Sequence, residues 1–571
     1  QKFIMAETPI SSAGYVRNWK GNSEQTQPEM VFLPEFATTL PSSNFKFAKK
    51  RMANWGRRDP QGAMEEIDVE MNVIRDFARR VLLSEETFQE EGNTFVNMFS
   101  GEWSGTSKLN KYDLSSMYFN YAGSIYSQNF PIIDIVMNTM LKQEESDQGR
   151  HFFRMFNGMG DDQRAASYLN GKSFEQAVLD NTLSTEVFYE MMKLKGVYLR
   201  NYINSRLSSN EFKEFMAEFM KKYQFQEVNF TRLNSEFIRK FHFNLMDFIP
   251  NWYTINSTPR FIVKGVDADQ VEVGDYTKYI VKFQVYNPTN VEGVISVNVE
   301  EGGGMFPGGP RGRRGRAAQM ESKPAKNYII EPRKYKEIRI LCDERPSNLT
   351  INTNISQNLP STIMQNFAKV TTTTTDTVTG IFDSNAALFT FNPKEITVDN
   401  EDPGFRIIES NQKNKLQSFF KKESEDKYKN LNFWMPPSKW TATIGVNYYG
   451  DYINSAVYKK SGSGSNKTEW TTQIQIPGFY EVFVYTSELP MMGWRRRGSE
   501  EKKMQYYTVK HDDGEEEISV ETGRGRQGWM TLGSFYFSAG EAKITLSDKG
   551  SESNQIIFAD AVKWVYTNNN K

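Results

Sequence analysis

Near Thr258 the spacing of apolar residues changes from that of a helix to that of a sheet, so the chain cannot belong to a single structural class. Upstream, Phe212, Phe215, Met216, Phe219, Met220 and Tyr223 recur at intervals that line one helical face. Ser208 and Glu211 stand three apart just ahead of that run, as an N-cap and its reciprocal partner do. A second helix follows through Phe230, Leu233, Phe237 and Phe241. Downstream, Tyr279, Val281, Phe283 and Val285 alternate with Ile280, Lys282, Gln284 and Tyr286, the period of a strand. More strands are expected at Val294 to Val299, Tyr328 to Ile330, Glu337 to Leu341 and Leu349 to Ile355, and together they predict an immunoglobulin-like β-sandwich over 258–400.

The first 257 residues read as mostly helical. Residues 1–50 mix short apolar runs with Pro and Ser turns, the pattern of strand and loop. Met64, Ile67, Met71, Ile74, Phe77 and Val81 then predict a helix over 64–83. The run from Tyr112 to Gln143 predicts a buried helical pair broken at Pro131, and two short helices follow, parted at Asn170 and Gly171.

The 571 residues suffice for about three or four domains. Lys plus Arg at 69 balance Asp plus Glu at 70, so no global field favours nucleic acid or an anionic membrane. No apolar run reaches the roughly 18 to 20 residues that span a bilayer. The start, QKFIMAETP, lacks the basic, apolar and small-residue pattern of a signal peptide, and upstream targeting or membrane segments are compatible with it. The one cysteine, Cys342, precludes an intrachain disulfide and reads as a small buried hydrophobe.

The pieces KLKG (Lys193 to Gly196), EFKEFMAEFMKKYQF (Glu211 to Phe225), NWY (Asn251 to Tyr253) and TPRF (Thr258 to Phe261) resemble, in order and spacing, the second half of the catalytic domain in the aminopeptidase N family of zinc peptidases. The family holds zinc with H-E-x-x-H and a further Glu, leaving one position for an activated water. Here His151, His242 and His511 lie far apart in sequence, and the alignment of KLKG puts Lys193 where the family carries its catalytic Tyr. The resemblance therefore implies a degenerate aminopeptidase-like domain over 1–257, with no metal or cofactor. QPEMVFLPE and YLNGKS are also similar to the extracytoplasmic regions fused to ABC transporter permeases in Bacteroidetes-type bacteria, which implies a protein partner in the cell envelope such as a membrane permease.

From about Glu401 the pattern is of short alternating strands, at Gln473 to Ile476, Val482 to Tyr485, Tyr506 to Val509 and Ile544 to Leu546, closed by Ala561, Val562 and Trp564. Bounded by Gly, Asp and Pro, they predict a jelly-roll-like β-sandwich over 401–571 with Trp529 and Trp564 in its core. YYGDY (Tyr448 to Tyr452), TEWTTQIQIPGFYEVFVYTS (Thr468 to Ser487), GWMTLGSFYFSAGEAKITLSDKG (Gly528 to Gly550) and IIFADAVKWV (Ile556 to Val565) resemble golvesin C-terminal-like domains, which occur on many secreted bacterial proteins. The fold expectation is thus a multidomain α+β chain of three parts.

Two segments are candidate binding loops. Trp494 with Arg495, Arg496 and Arg497 pairs an aromatic face with guanidinium groups, which suits a sugar or an anionic polymer. Arg313 and Arg314 lie in a Gly-rich tract over 301–320 that reads either as a contact for RNA, phosphate or an acidic partner or as a solvated insertion in a hairpin. The resulting expectation is a non-catalytic extracytoplasmic binding or scaffold module, periplasmic or at the cell surface. The alternatives are a zinc aminopeptidase whose metal segment lies outside this chain and a glycan-binding or polysaccharide-active protein.

Overall fold

A computed structural model describes residues 160–567 apart from 181, 184, 224–227, 275, 302–324, 368–369, 371, 410–426, 433–434, 488–502, 524–525 and 553; before residue 160 it describes only 4–8, 30–34, 125–127 and 129–130. The expected helix at 64–83 lies outside the described residues. Two compact units form, one of Gln1–Glu145 with Leu207–Asn251 and the other of Ser146–Arg206 with Trp252–Lys571. The described α-helices are α1 (Asp161–Leu169), α2 (Phe174–Leu179), α3 (Thr185–Asn204), α4 (Ser209–Lys222), α5 (Phe230–Phe241) and α6 (Ile249–Thr254).

In the first unit β1 (Ile4–Thr8) pairs in parallel with β2 (Met30–Pro34), and β3 (Ile125–Tyr126) with β4 (Val228–Asn229). Ile125 and Tyr126 are therefore extended, which corrects the expectation of helix at those two positions: the apolar run there supplies a strand partner. Helix α4 starts as its sequence predicts, with the Glu211 amide donating to Ser208 Oγ at 3.2 Å and the Ser208 amide donating to Glu211 Oε2 at 2.8 Å. Its buried face, Phe212, Phe215, Met216 and Phe219, meets Phe237 of α5, with the Phe215 and Phe237 rings edge to face at 5.3 Å. Helix α5 stops at His242, whose left-handed backbone (φ 54°) lets its amide donate to the Ile238 carbonyl at 2.8 Å.

In the second unit α1 and α2 are parted at Asn170 and Gly171, as expected, and Ser173 caps α2 by accepting from the Gln176 amide at 3.1 Å. Lys195 of α3 is buried and donates to the Trp252 carbonyl at 2.5 Å, with the Trp252 and Phe174 rings facing its ammonium. Burial pulls this amine down to about 7.

The first β-sandwich comprises β5 (Ile262–Val273), β6 (Tyr276–Tyr286), β7 (Gly293–Glu301), β8 (Lys326–Ile330), β9 (Tyr335–Cys342), β10 (Pro346–Asn352), β11 (Thr362–Asn366), β12 (Thr373–Thr374) and β13 (Gly380–Asp383). One sheet runs β11-β10-β7-β8 and the other β12-β5-β6-β9-β13. Alternation places Val281, Phe283 and Val285 inward against Ile295, Val297, Ile338, Leu349 and Ile351, and Cys342 is buried among them.

One turn joins the parts of this unit. Asn201 of α3 donates to Asn354 Oδ1 at 2.8 Å, and Asn354 Nδ2 donates to the Val294 carbonyl at 2.8 Å. Gln357 bonds the backbone of Thr258 and Pro259, and Asn358 both accepts from the Phe261 amide and donates to its carbonyl. The Leu359 amide then donates to the Tyr452 carbonyl at 2.9 Å, and the Asn454 amide to the Leu359 carbonyl at 2.7 Å.

The C-terminal sandwich comprises β14 (Glu395–Val398), β15 (Phe405–Ile408), β16 (Thr441–Ile444), β17 (Ser455–Lys460), β18 (Lys467–Ile474), β19 (Gly478–Thr486), β20 (Lys503–His511), β21 (Gly514–Thr522), β22 (Gly528–Phe537), β23 (Gly540–Gly550), β24 (Ile556–Ala559) and β25 (Val562–Thr567). Its sheets run β14-β25-β19-β22, β15-β18-β23-β20-β21 and β16-β17-β24. Strand β14, which precedes residue 400, is antiparallel to β25 and so is built into this sandwich. Trp470, Tyr480, Val482, Tyr507, Ile544 and Trp564 form its core. Inside it Lys459 and Asp548 make a fully enclosed ion pair, and Asp548 also accepts from the Gly464 amide and Asn466 Nδ2.

Candidate functional site

Of the candidate binding residues, Trp494, Arg495, Arg496 and Arg497 fall in 488–502, and Arg313 and Arg314 in 302–324; all six lie outside the described residues. The described part of the C-terminal sandwich carries a different candidate, on the outward face of the sheet β14-β25-β19-β22.

Strand β19 reads GFYEVFVYT, apolar at nearly every position. Tyr480, Val482 and Val484 point inward and are buried, which leaves Phe479, Phe483 and Tyr485 on the outside. Directly across from them on β22 stand Tyr536 opposite Phe479 and Trp529 opposite Tyr485. Phe479 and Tyr536, 41% and 37% exposed, meet edge to face at 5.4 Å. Tyr485 and Trp529 meet likewise at 5.3 Å, and Tyr449, from the loop after β16, closes against Trp529 at 5.1 Å. Midway, Lys563 of β25 holds its ammonium 5.6 Å from the Phe483 ring and 4.6 Å from the Trp529 ring. Glu395 pairs with Lys563 at 3.4 Å, and Glu481, Thr531 and Ser534 occupy outward positions beside the row.

This placement corrects the expectation that Trp529 is core. Phe535 and Phe537 are inward, and unbroken alternation would carry Trp529 inward with them. The ladder instead shifts: Val482 faces Gly533 and Phe483 faces Thr531, leaving Leu532 as an extra residue on β22. That bulge turns Leu532 into the core and sends Trp529 to the opposite face. Gly533 has φ 130°, a conformation that other side chains rarely adopt. Trp564 is core, as expected.

Beneath one end of the row lie buried carboxyl groups. Asp560 accepts from the Tyr449 amide at 3.2 and 3.3 Å and from Ser487 Oγ at 3.2 Å, and it is 2% exposed. Burial, with Asp399 nearby, pushes its carboxyl well above the usual range. Asp399 is pushed up to about 8, first by burial and then by the neighbouring Asp402, Glu401 and Asp451. Among the described residues no group of three or more His, Cys, Asp or Glu side chains is placed to hold a metal ion.

The sandwich and its outward row define a class: a β-sheet domain presenting aromatic rings set among hydroxyls and one charged pair. Residues 430–566 match the golvesin C-terminal domain family, so the second sandwich is such a domain, extended at its start by β14 and β15. No curated protein matches the chain. Among solved structures it is similar to a xanthan lyase from Paenibacillus, at 14% identity over 54% of this chain and 26% of that one, with a TM-score of 0.22. It is also similar to an exo-beta-1,3-galactanase from Phanerochaete chrysosporium, at 14% identity over 23% and 27% with a TM-score of 0.16. A two-domain protein of unknown function from Bacteroides fragilis aligns at 10% identity over 54% and 94%, with a TM-score of 0.14. The chain spans about a quarter of the length of the first two proteins.

Proposed function

We propose that this chain is an extracytoplasmic glycan-binding protein that works by binding and display rather than by catalysis. The observation that supports it is the outward row Phe479, Tyr536, Phe483, Trp529 and Tyr485 on the golvesin domain. Aromatic faces stack on the C–H faces of pyranose rings, and the interspersed Thr531, Ser534, Glu481 and Lys563 offer partners to hydroxyl groups. Phe479 and Tyr536 stand exposed beside further rings on one sheet face, and a contiguous exposed apolar surface is what a ligand site presents. The aminopeptidase-like and transporter-linked parts of the reading rest on sequence resemblance alone; in that reading the first 257 residues dock the chain to an envelope partner.

The test is affinity electrophoresis and calorimetry against a panel of neutral and acidic bacterial, fungal and plant polysaccharides. Binding to at least one is expected. Phe479→Ala combined with Tyr536→Ala is expected to weaken it by about tenfold or more, with the thermal midpoint little changed. Unaltered affinity in that variant, or no binding to any polymer, removes the reading.

A further inference from the structure

Resting on that reading, we infer that the row engages the interior of an extended, uncharged glycan chain lying along β19. The outward positions from Phe479 to Tyr485 span six residue steps, roughly 20 Å at a strand's rise, too far for one sugar ring to touch both ends. The aromatic groups fall into two clusters, Phe479 with Tyr536 at one end and Tyr485, Trp529 and Tyr449 at the other, with Phe483 between them. A terminal-sugar site would be a closed pocket around one ring, whereas this row lies on a sheet face whose rings follow one strand.

Charge on the face selects against an acidic polymer. Among the outward side chains of β14, β19, β22 and β25 the one cation is Lys563, and it is already engaged by Glu395 and by two rings. Glu395 and Glu481 leave the face with more carboxylates than ammonium groups, so uronate or sulfate groups would meet repulsion. Hydroxyls meet no such penalty, because Glu481, Thr531 and Ser534 accept or donate hydrogen bonds to them.

The experiment takes the polysaccharide that the panel selects and measures dissociation constants for its fragments, from monosaccharide to hexasaccharide, on the full chain, together with its carboxymethylated form. Affinity is expected to rise by at least about tenfold between disaccharide and hexasaccharide and then level off, and to fall for the carboxymethylated polymer. Phe479→Ala, which removes one end of the row, is expected to lower hexasaccharide affinity by more than it lowers disaccharide affinity and so to shrink the gain with length; an undiminished gain overturns the inference. Equal affinity for short and long fragments, or stronger binding of the carboxymethylated form, overturns the inference and leaves the glycan reading standing. Failure of every polymer to bind overturns the reading beneath it.

Discussion

Among the described residues neither Asp399 nor Asp560 forms an ion pair, and burial raises both carboxyls, which fixes how their protonation couples to folding. For Asp399 the folded-state value, about 8, lies above the ordinary carboxyl value of 3.8, so across that interval the folded chain holds a proton that the unfolded chain has lost. Its contribution to stability is therefore complete in acid, declines as pH rises from about 4, and is gone near 8. Asp560 shifts in the same direction. Asp399→Asn and Asp560→Asn are each expected to flatten this decline; urea unfolding at a series of pH values measures it, and a slope equal to that of the unaltered protein would count against the assignment. Neither aspartate was legible in the sequence as unusual, since the burial that dominates both shifts comes from residues far along the chain, even though Glu401 and Asp402 stand beside Asp399 in sequence. Cys342, by contrast, sits where its chemistry alone placed it, inside a sandwich.

At the scale of elements, the capped start of α4 and the two-residue period of β6 were fully readable, because each depends on neighbours a few positions away. The row on β22 was not. One inserted residue, Leu532, reverses the facing of everything before it, and alternation counted back from Phe537 goes wrong at that point. The available signal was β19 itself, apolar on both sides in a sheet with one solvent face. Gly533→Val is expected to destabilise the domain by about 1 kcal/mol or more, because its positive φ suits glycine. The substitution should also lower glycan affinity by disturbing the register that aims Trp529 outward. Calorimetric unfolding together with binding measures both, and a fully stable variant with intact binding would show that the bulge does not need this glycine.

For the whole molecule, the described residues of 160–206 fold with the sandwiches, and the described residues of 207–251 with the other unit. Sequence order could not disclose this, because a bond that ties α3 to the first sandwich, Asn201 to Asn354, joins residues 153 positions apart. Asn358→Ala leaves the buried amide and carbonyl of Phe261 without partners, and a loss of about 2 kcal/mol is expected. Differential scanning calorimetry measures the drop, and an unchanged midpoint would mean that the turn is not a structural joint.

The same turn has a mechanical consequence. With α3, the first sandwich and the golvesin domain clasped by the segment from Asn354 to Leu359, a load applied to the golvesin domain would pass through hydrogen-bonded backbone instead of being absorbed at a slack linker. Within this unit the chain transmits a pull as a strut does.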